Sequence, residues 1–148
     1  MLIATKSGKI DISTEKKTEE IANKILSELK PGNVVFLYGE MGVGKTTFVK
    51  YLINGFQIKF DEKLTDITSP TFNIMNEYKV NELSIKHYNL YRLKSEKELN
   101  ELNLFEKNDN SILLIEWPKI IKKKPNSIIE IFFEYKNNYK NRCVKILS

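Results

Sequence analysis

One cysteine, Cys143, stands among 148 residues, so no disulfide can form within this chain and no cysteine-based zinc site can be built. A lone thiol of this kind behaves as a small hydrophobe, and Cys143 is expected half-buried on a strand. Histidine is equally scarce. His87 is the only one, which excludes a multi-histidine metal centre. Arginine occurs twice, as Arg92 and Arg142, so the net charge of +5 is carried by lysines scattered along the chain apart from Lys122-Lys123-Lys124. A nucleic-acid surface normally shows a stripe of Arg and Lys with aromatics among them, and direct RNA contact is the weaker reading here. No apolar run approaches membrane-spanning length, and Met1-Leu2-Ile3-Ala4-Thr5-Lys6 turns polar too soon for an export signal. The expectation is a soluble, cytoplasmic protein without a membrane partner. With 41% hydrophobic and 29% charged residues, the composition suits a single globular domain over residues 1–148, built on one core.

Glycine is also sparse, with six in the chain, yet three fall in one short stretch, Gly39-Glu40-Met41-Gly42-Val43-Gly44-Lys45-Thr46-Thr47-Phe48. An apolar run, Val34-Val35-Phe36-Leu37-Tyr38, leads into it, and Phe48-Val49-Lys50-Tyr51-Leu52-Ile53 follows with apolar residues at helical spacing. Strand, G-x-x-x-x-G-K-T and helix together form a phosphate-binding loop. Its glycines let successive backbone N–H groups point at phosphate oxygens, and the helix adds free N–H groups and the positive end of its dipole. In this arrangement Lys45 reaches the β- and γ-phosphates and the Thr46 hydroxyl sits on Mg²⁺.

Upstream, Met1 to Ile12 alternates loosely as an edge strand. Ser13 or Thr14 caps a helix carrying Ile21, Ala22, Ile25, Leu26 and Leu29, ended by Pro31-Gly32. The helix behind the phosphate loop is expected to close near Asn54-Gly55. A polar, mobile connection should follow from Gln57 to Thr68. Ser69-Pro70-Thr71-Phe72 opens a hairpin whose alternating strands, Phe72 to Lys79 and Ile85 to Tyr91, place His87, Asn89 and Tyr91 on one face. Ser95-Glu96-Lys97-Glu98 is a capping box for a short helix over Glu98 to Leu102, with Leu99 and Leu102 inward. Ile112-Leu113-Leu114-Ile115 reads as a strand buried on both faces, and Ile128 to Tyr135 and Asn141 to Leu147 as a closing hairpin. The order predicts a three-layer α/β, P-loop NTPase-like domain with a mixed parallel and antiparallel sheet.

A phosphate loop needs an acidic partner for its metal, usually at the end of a neighbouring buried strand. Glu116, directly after Ile112–Ile115, is the candidate, since ligands in open α/β sheets gather at the carboxyl ends of strands. A surface carboxylate just past a strand is the alternative. A lone strand histidine such as His87 is more often structural than a proton carrier. Ser69 and Thr71 read equally well as turn formers or as sensors of the γ-phosphate.

Four segments carry a resemblance to a known family. They are Leu37 to Phe48, Ser69-Pro70-Thr71-Phe72, His87-Tyr88-Asn89-Leu90-Tyr91-Arg92-Leu93, and Ile115-Glu116-Trp117-Pro118. Together they resemble the TsaE (YjeE) family of bacterial P-loop ATPases. The resemblance implies an ATPase that binds ATP and Mg²⁺, is weak alone and is stimulated by the TsaD–TsaB pair. Its role would be the making of threonylcarbamoyladenosine in tRNA, next to the anticodon, with tRNA met only through that complex. By this likeness Met41, Gly42, Val43, Gly44, Lys45 and Thr46 wrap the phosphates, and Thr47 counts among the nucleotide-binding residues. Thr46 and Glu116 hold Mg²⁺, Glu15, Thr18 and Lys119 lie close to the nucleotide, and the Ser69–Thr71 turn acts as a switch-like loop. Lys45, Asn89 and Glu116 form the catalytic set, with Asn89 also near the nucleotide.

One departure stands out. The family pattern H-x-D-x-Y-R has Asn89 at its acidic position. An amide can hydrogen-bond but cannot accept a proton as a base, which implies slower hydrolysis than in Asp-containing relatives. Two other readings compete: a small-molecule P-loop kinase, disfavoured by two arginines with neither in an obvious lid, and a nucleotide-dependent binding module with little turnover.

Overall fold

Val34-Val35-Phe36-Leu37 and Ile112-Leu113-Leu114-Ile115 are apolar at every position, so strands made of them need cover on both faces. In the computed structural model, which describes residues 8–106 and 110–148, both lie in the middle of one sheet. The elements are β1 (Lys9–Asp11), α1 (Glu15–Glu28), β2 (Val34–Tyr38), α2 (Lys45–Lys59), β3 (Met75–Val80), β4 (Leu83–Asn89), α3 (Glu96–Glu101), β5 (Ser111–Glu116), a single 3-10 turn over Pro118–Ile120, β6 (Ile128–Lys136) and β7 (Asn141–Leu147). The strand order is β1-β7-β6-β2-β5-β4-β3. The central four, β6, β2, β5 and β4, run parallel, while β3, β7 and β1 join antiparallel at the edges. The mixed sheet follows directly: crossovers through helices give parallel neighbours, and hairpins give antiparallel ones.

Alternation along each strand divides the core in two. Val35, Leu37, Ile85, Ile112 and Leu114 face α1 and α2 in the larger cluster. Val34, Phe36, Tyr88, Leu113 and Ile115 face the opposite side, where Leu99, Leu102 and Ile120 pack over them. This second cover is thin, consisting of the six-residue α3, the 3-10 turn and connecting segments. The sheet with its unequal covers makes the expected three-layer α/β arrangement.

Local signals explain most boundaries. The Thr14 side chain accepts from the Lys17 N–H at 3.3 Å and starts α1. Ser95 accepts from the Glu98 N–H at 3.2 Å and starts α3 two residues earlier than expected. α2 does not end near Asn54-Gly55 but runs on to Lys59. A Cβ on Gly55 would stand 2.6 Å from Leu26 Cδ1, so this glycine admits close packing of α1 on α2 rather than ending a helix. The following connection is anchored, too. Gln57, buried, donates to Thr65 Oγ1 at 3.0 Å and accepts from the Thr65 N–H at 3.3 Å. The first hairpin strand begins at Met75 rather than Phe72, because Ile74 takes a positive φ of 66° and breaks the extended run. Its partner ends at Asn89, so Tyr91 lies beyond the strand. Met1 to Ser7, the greater part of the expected first strand, lie outside the described residues. Cys143 is buried on β7, where burial raises its thiol pKa.

Candidate nucleotide and metal site

β2, β4 and β5 end side by side in the parallel part of the sheet, and a cleft of about 340 Å³ opens above their carboxyl ends, against the start of α2. The turn from β2 into α2 is tight. Gly39 has φ 149°, and a Cβ there would meet Phe133 Cβ at 2.9 Å and the Phe133 carbonyl oxygen at 3.0 Å. Gly44, at φ 117°, is the residue from which α2 departs and has no side-chain cap, so the first N–H groups of the helix have no capping side chain. A Cβ on Gly42 would come no nearer than 3.4 Å to Tyr135 Oη, its nearest neighbour, and one on Gly44 no nearer than 3.6 Å to Arg142 Nη1. The loop is therefore closely packed at Gly39 and in ordinary contact at Gly42 and Gly44, where φ values of 81° and 117° favour glycine.

Lys45 is buried. Its ammonium donates to the Gly39 carbonyl and lies 3.7 Å from the centroid of the Trp117 ring. Burial lowers its pKa, while the nearby Glu116 charge acts in the opposite direction. Thr46 Oγ1 donates to Glu116, at 3.1 Å from Oε2 and 3.4 Å from Oε1. Glu116 is 2% exposed at the end of β5, facing the same side as Ile112 and Leu114, two and four residues earlier. It is no surface carboxylate. His87 Nε2 stands 2.6 Å from Glu116 Oε2 with its ring completely buried. Asn89, opposite Glu116 in the β4–β5 register, donates from Nδ2 to Ser69 Oγ at 2.8 Å and accepts from the Tyr91 N–H at 3.0 Å. Arg92 donates to the Thr71 carbonyl at 3.4 Å and lies 5.4 Å from the Phe72 ring centroid.

The cleft thus gathers Met41, Gly42, Gly44, Lys45, Thr46 and Thr47 from the loop and helix, and Asn89 and Glu116 from the strand ends. Val43 is buried beneath the loop, in the larger core cluster. Glu15, Thr18 and Lys119 do not line the cleft. Glu15 accepts from Tyr51 Oη at 3.0 Å, and the buried Thr18 hydroxyl turns back to the Thr14 carbonyl at 3.3 Å. Lys119 lies on a neighbouring groove, with Tyr38 and Phe132. Sequence reasoning overlooked Arg142, which β7 brings from the far end of the chain to the cleft wall, and Trp117 as the surface beneath Lys45. Both arginines line the cleft.

Among the described residues no cluster of three His, Cys, Asp or Glu side chains forms a metal cage. That suits Mg²⁺, which keeps several waters and takes only one or two protein oxygens beside phosphate. The hydroxyl of Thr46 and the carboxylate of Glu116 form such a hard-oxygen pair, with the lysine ammonium beside them. The donor set fits the ion.

The sequence model of the family described as "Threonylcarbamoyl adenosine biosynthesis protein TsaE" matches residues 12–144. A tRNA threonylcarbamoyladenosine biosynthesis protein TsaE from Rickettsia conorii is 38% identical over 133 residues, 89% of this chain and 74% of that protein. The protein of the same name from Aquifex aeolicus is 33% identical over 118 residues, 80% of each chain. The crystal structure of YdiB from Bacillus subtilis superposes with a TM-score of 0.67 at 26% identity, covering 93% of this chain and 83% of that one. With a phosphate loop, a strand-end carboxylate against its threonine and a match over nearly the whole length, this chain belongs to the TsaE family, whose named members are tRNA threonylcarbamoyladenosine biosynthesis proteins.

Proposed function

We propose that this chain is an ATPase that takes ATP with Mg²⁺ in the cleft and serves threonylcarbamoyladenosine synthesis in tRNA together with the TsaD–TsaB pair. The observation that carries the proposal is the meeting of Lys45, Thr46 and Glu116 at the open face of the Gly39–Thr46 loop. In use, the Lys45 ammonium leaves the Gly39 carbonyl for the phosphates, and the N–H groups from Gly42 to Thr47 close around them. Thr46 and Glu116 would hold the metal, which when bound neutralises part of the phosphate charge.

Slow intrinsic turnover follows from Asn89. Both polar ends of its amide are engaged, with Ser69 and with the Tyr91 backbone, and neither can take a proton from water. Asn89 braces the Ser69–Thr71 turn against the end of β4. Arg92 is tied to the same turn through Thr71, so a partner pressing on this exposed segment would move a cleft-lining cation with it. That is a route to stimulation in which the arginine acts in cis. No described helix is long and apolar enough to cross a membrane. The decisive measurement is ATP turnover by the chain alone and with the TsaD–TsaB pair. The expected result is low turnover raised by the pair. Equal turnover in both, or phosphoryl transfer to a metabolite with no partner present, would overturn the proposal.

A further inference from the structure

His87 is wholly buried, and its two ring nitrogens are used unequally. Nε2 lies 2.6 Å from Glu116 Oε2, whereas Nδ1 is buried with no hydrogen-bond partner among the described residues. The contact to Glu116 is therefore the polar contact that orients the ring. A histidine placed only to fill a core would be costly here, because an imidazole leaves a polar nitrogen unsatisfied where an apolar side chain would leave none. The asymmetry also assigns the proton. A carboxylate accepts, so Nε2 carries the hydrogen, and Nδ1 keeps a bare lone pair, which costs less to bury unpartnered than an N–H would.

Glu116 in turn has two neighbours pulling on its oxygens. The Thr46 hydroxyl reaches Oε2 at 3.1 Å and Oε1 at 3.4 Å, while His87 reaches Oε2 alone. A carboxylate with one oxygen anchored cannot rotate freely; that oxygen, Oε2, is also the nearer to Thr46, so ring and hydroxyl together fix the carboxylate, and Oε1 is left without a contact to His87. The two residues come from adjacent parallel strands, with β4 and β5 in register so that Asn89 stands opposite Glu116 and His87 opposite Leu114. The strand pairing that builds the sheet thus also sets the His87–Glu116 distance.

We infer that His87 is a positioning residue for the metal site: its Nε2–H holds the Glu116 carboxylate in the orientation that receives Mg²⁺ beside Thr46. This rests on the proposed Mg²⁺–nucleotide reading of the cleft and goes beyond it by naming what orients the metal-facing carboxylate. Groups that orient metal ligands typically matter by about 10–100-fold in metal affinity.

The test is nucleotide affinity measured by calorimetry, with ADP, in Mg²⁺ and in EDTA, on the full chain. Wild type should bind more tightly with Mg²⁺ than without; if it shows no such gain, the proposed site fails before His87 is tested. Given that gain, His87→Leu should lose about tenfold or more of it, with affinity in EDTA unchanged. His87→Gln, whose side-chain amide can present an N–H near the Nε2 position, should restore most of the gain. A Leu variant with the full Mg²⁺ gain, or a Gln variant as impaired as Leu, overturns the inference. Should the Leu variant not fold, His87→Asn replaces it, since its shorter amide falls short of Glu116. Loss in Asn with retention in Gln supports the inference, and equal behaviour of the two overturns it.

Discussion

Lys45, His87 and Glu116 expose 4%, 0% and 2% of their surfaces, whereas Met41, Phe72 and Tyr91, on the loops that rim the same cleft, expose 65%, 85% and 55%. The first group sits on or against strand ends and the first turn of α2, with His87 bonded to Glu116 and Lys45 held by the Gly39 carbonyl. The second is carried by loops, and its members are large apolar side chains left in water. On the proposed function, the buried side would be a largely preformed phosphate and metal site, in which Lys45 has only to leave the Gly39 carbonyl. The exposed side has few constraints and is the part a partner can reshape. On the proposed function, binding would belong to the buried side of the cleft and control of turnover to the exposed one.

Removing the buried cation should have the largest effect. Lys45→Ala is expected to weaken ATP binding by about 100-fold, the scale of charge-assisted hydrogen bonds lost to phosphate, measurable by calorimetry. Next, Glu116→Gln keeps an acceptor for His87 but removes the charge. Its Mg²⁺-dependent gain in affinity should fall about tenfold, with binding in EDTA preserved, as expected for loss of one hard-oxygen ligand. Gly39→Ala probes the tight turn beneath the site. A Cβ 2.9 Å from Phe133 Cβ at φ 149° should cost about 1–3 kcal/mol, seen as a lowered Tm.

Substitutions at Asn89, which braces the Ser69–Thr71 turn, and at the exposed Phe72 beside that turn should be milder and should spare binding. Asn89→Asp restores a carboxylate at the strand end, and Ser69 can then donate where it now accepts. Turnover stimulated by the TsaD–TsaB pair should rise severalfold while ATP affinity changes little; an unchanged or lower rate would show that Asn89 does not limit hydrolysis. Phe72→Ser should be the smallest change in the isolated chain, within about 0.5 kcal/mol in stability, as for other exposed sites. If Phe72→Ser weakened Mg²⁺–nucleotide binding as much as Glu116→Gln does, the division between the two sides would collapse.

How far the chain could be read beforehand follows the same division. The phosphate loop is contiguous, and Lys45 and Thr46 take their places through local strand–turn–helix geometry, so their positions were legible as a spacing pattern. Glu116 was legible because four apolar residues place it at the end of a buried strand. The end of α2 was misread at Gly55, since a glycine that ends a helix and one that admits another helix look alike in sequence. Only the packing of Leu26 separates them. Phe72 was assigned to a strand by alternation, but the positive φ of Ile74 delays β3 to Met75.

What the sequence by itself determined was the local pattern: where the glycine loop joins strand to helix, which strand is buried twice, where helices begin. These depend on neighbours within a few positions along the chain. The meeting of distant segments was decided by the tertiary structure alone. The antiparallel pairing of β6 with β7 carries Arg142 to the phosphate loop, and the parallel register of β4 and β5 brings His87 within 2.6 Å of Glu116. Strand order and register are set by how two whole faces of side chains pack against their covers, and no short pattern encodes that.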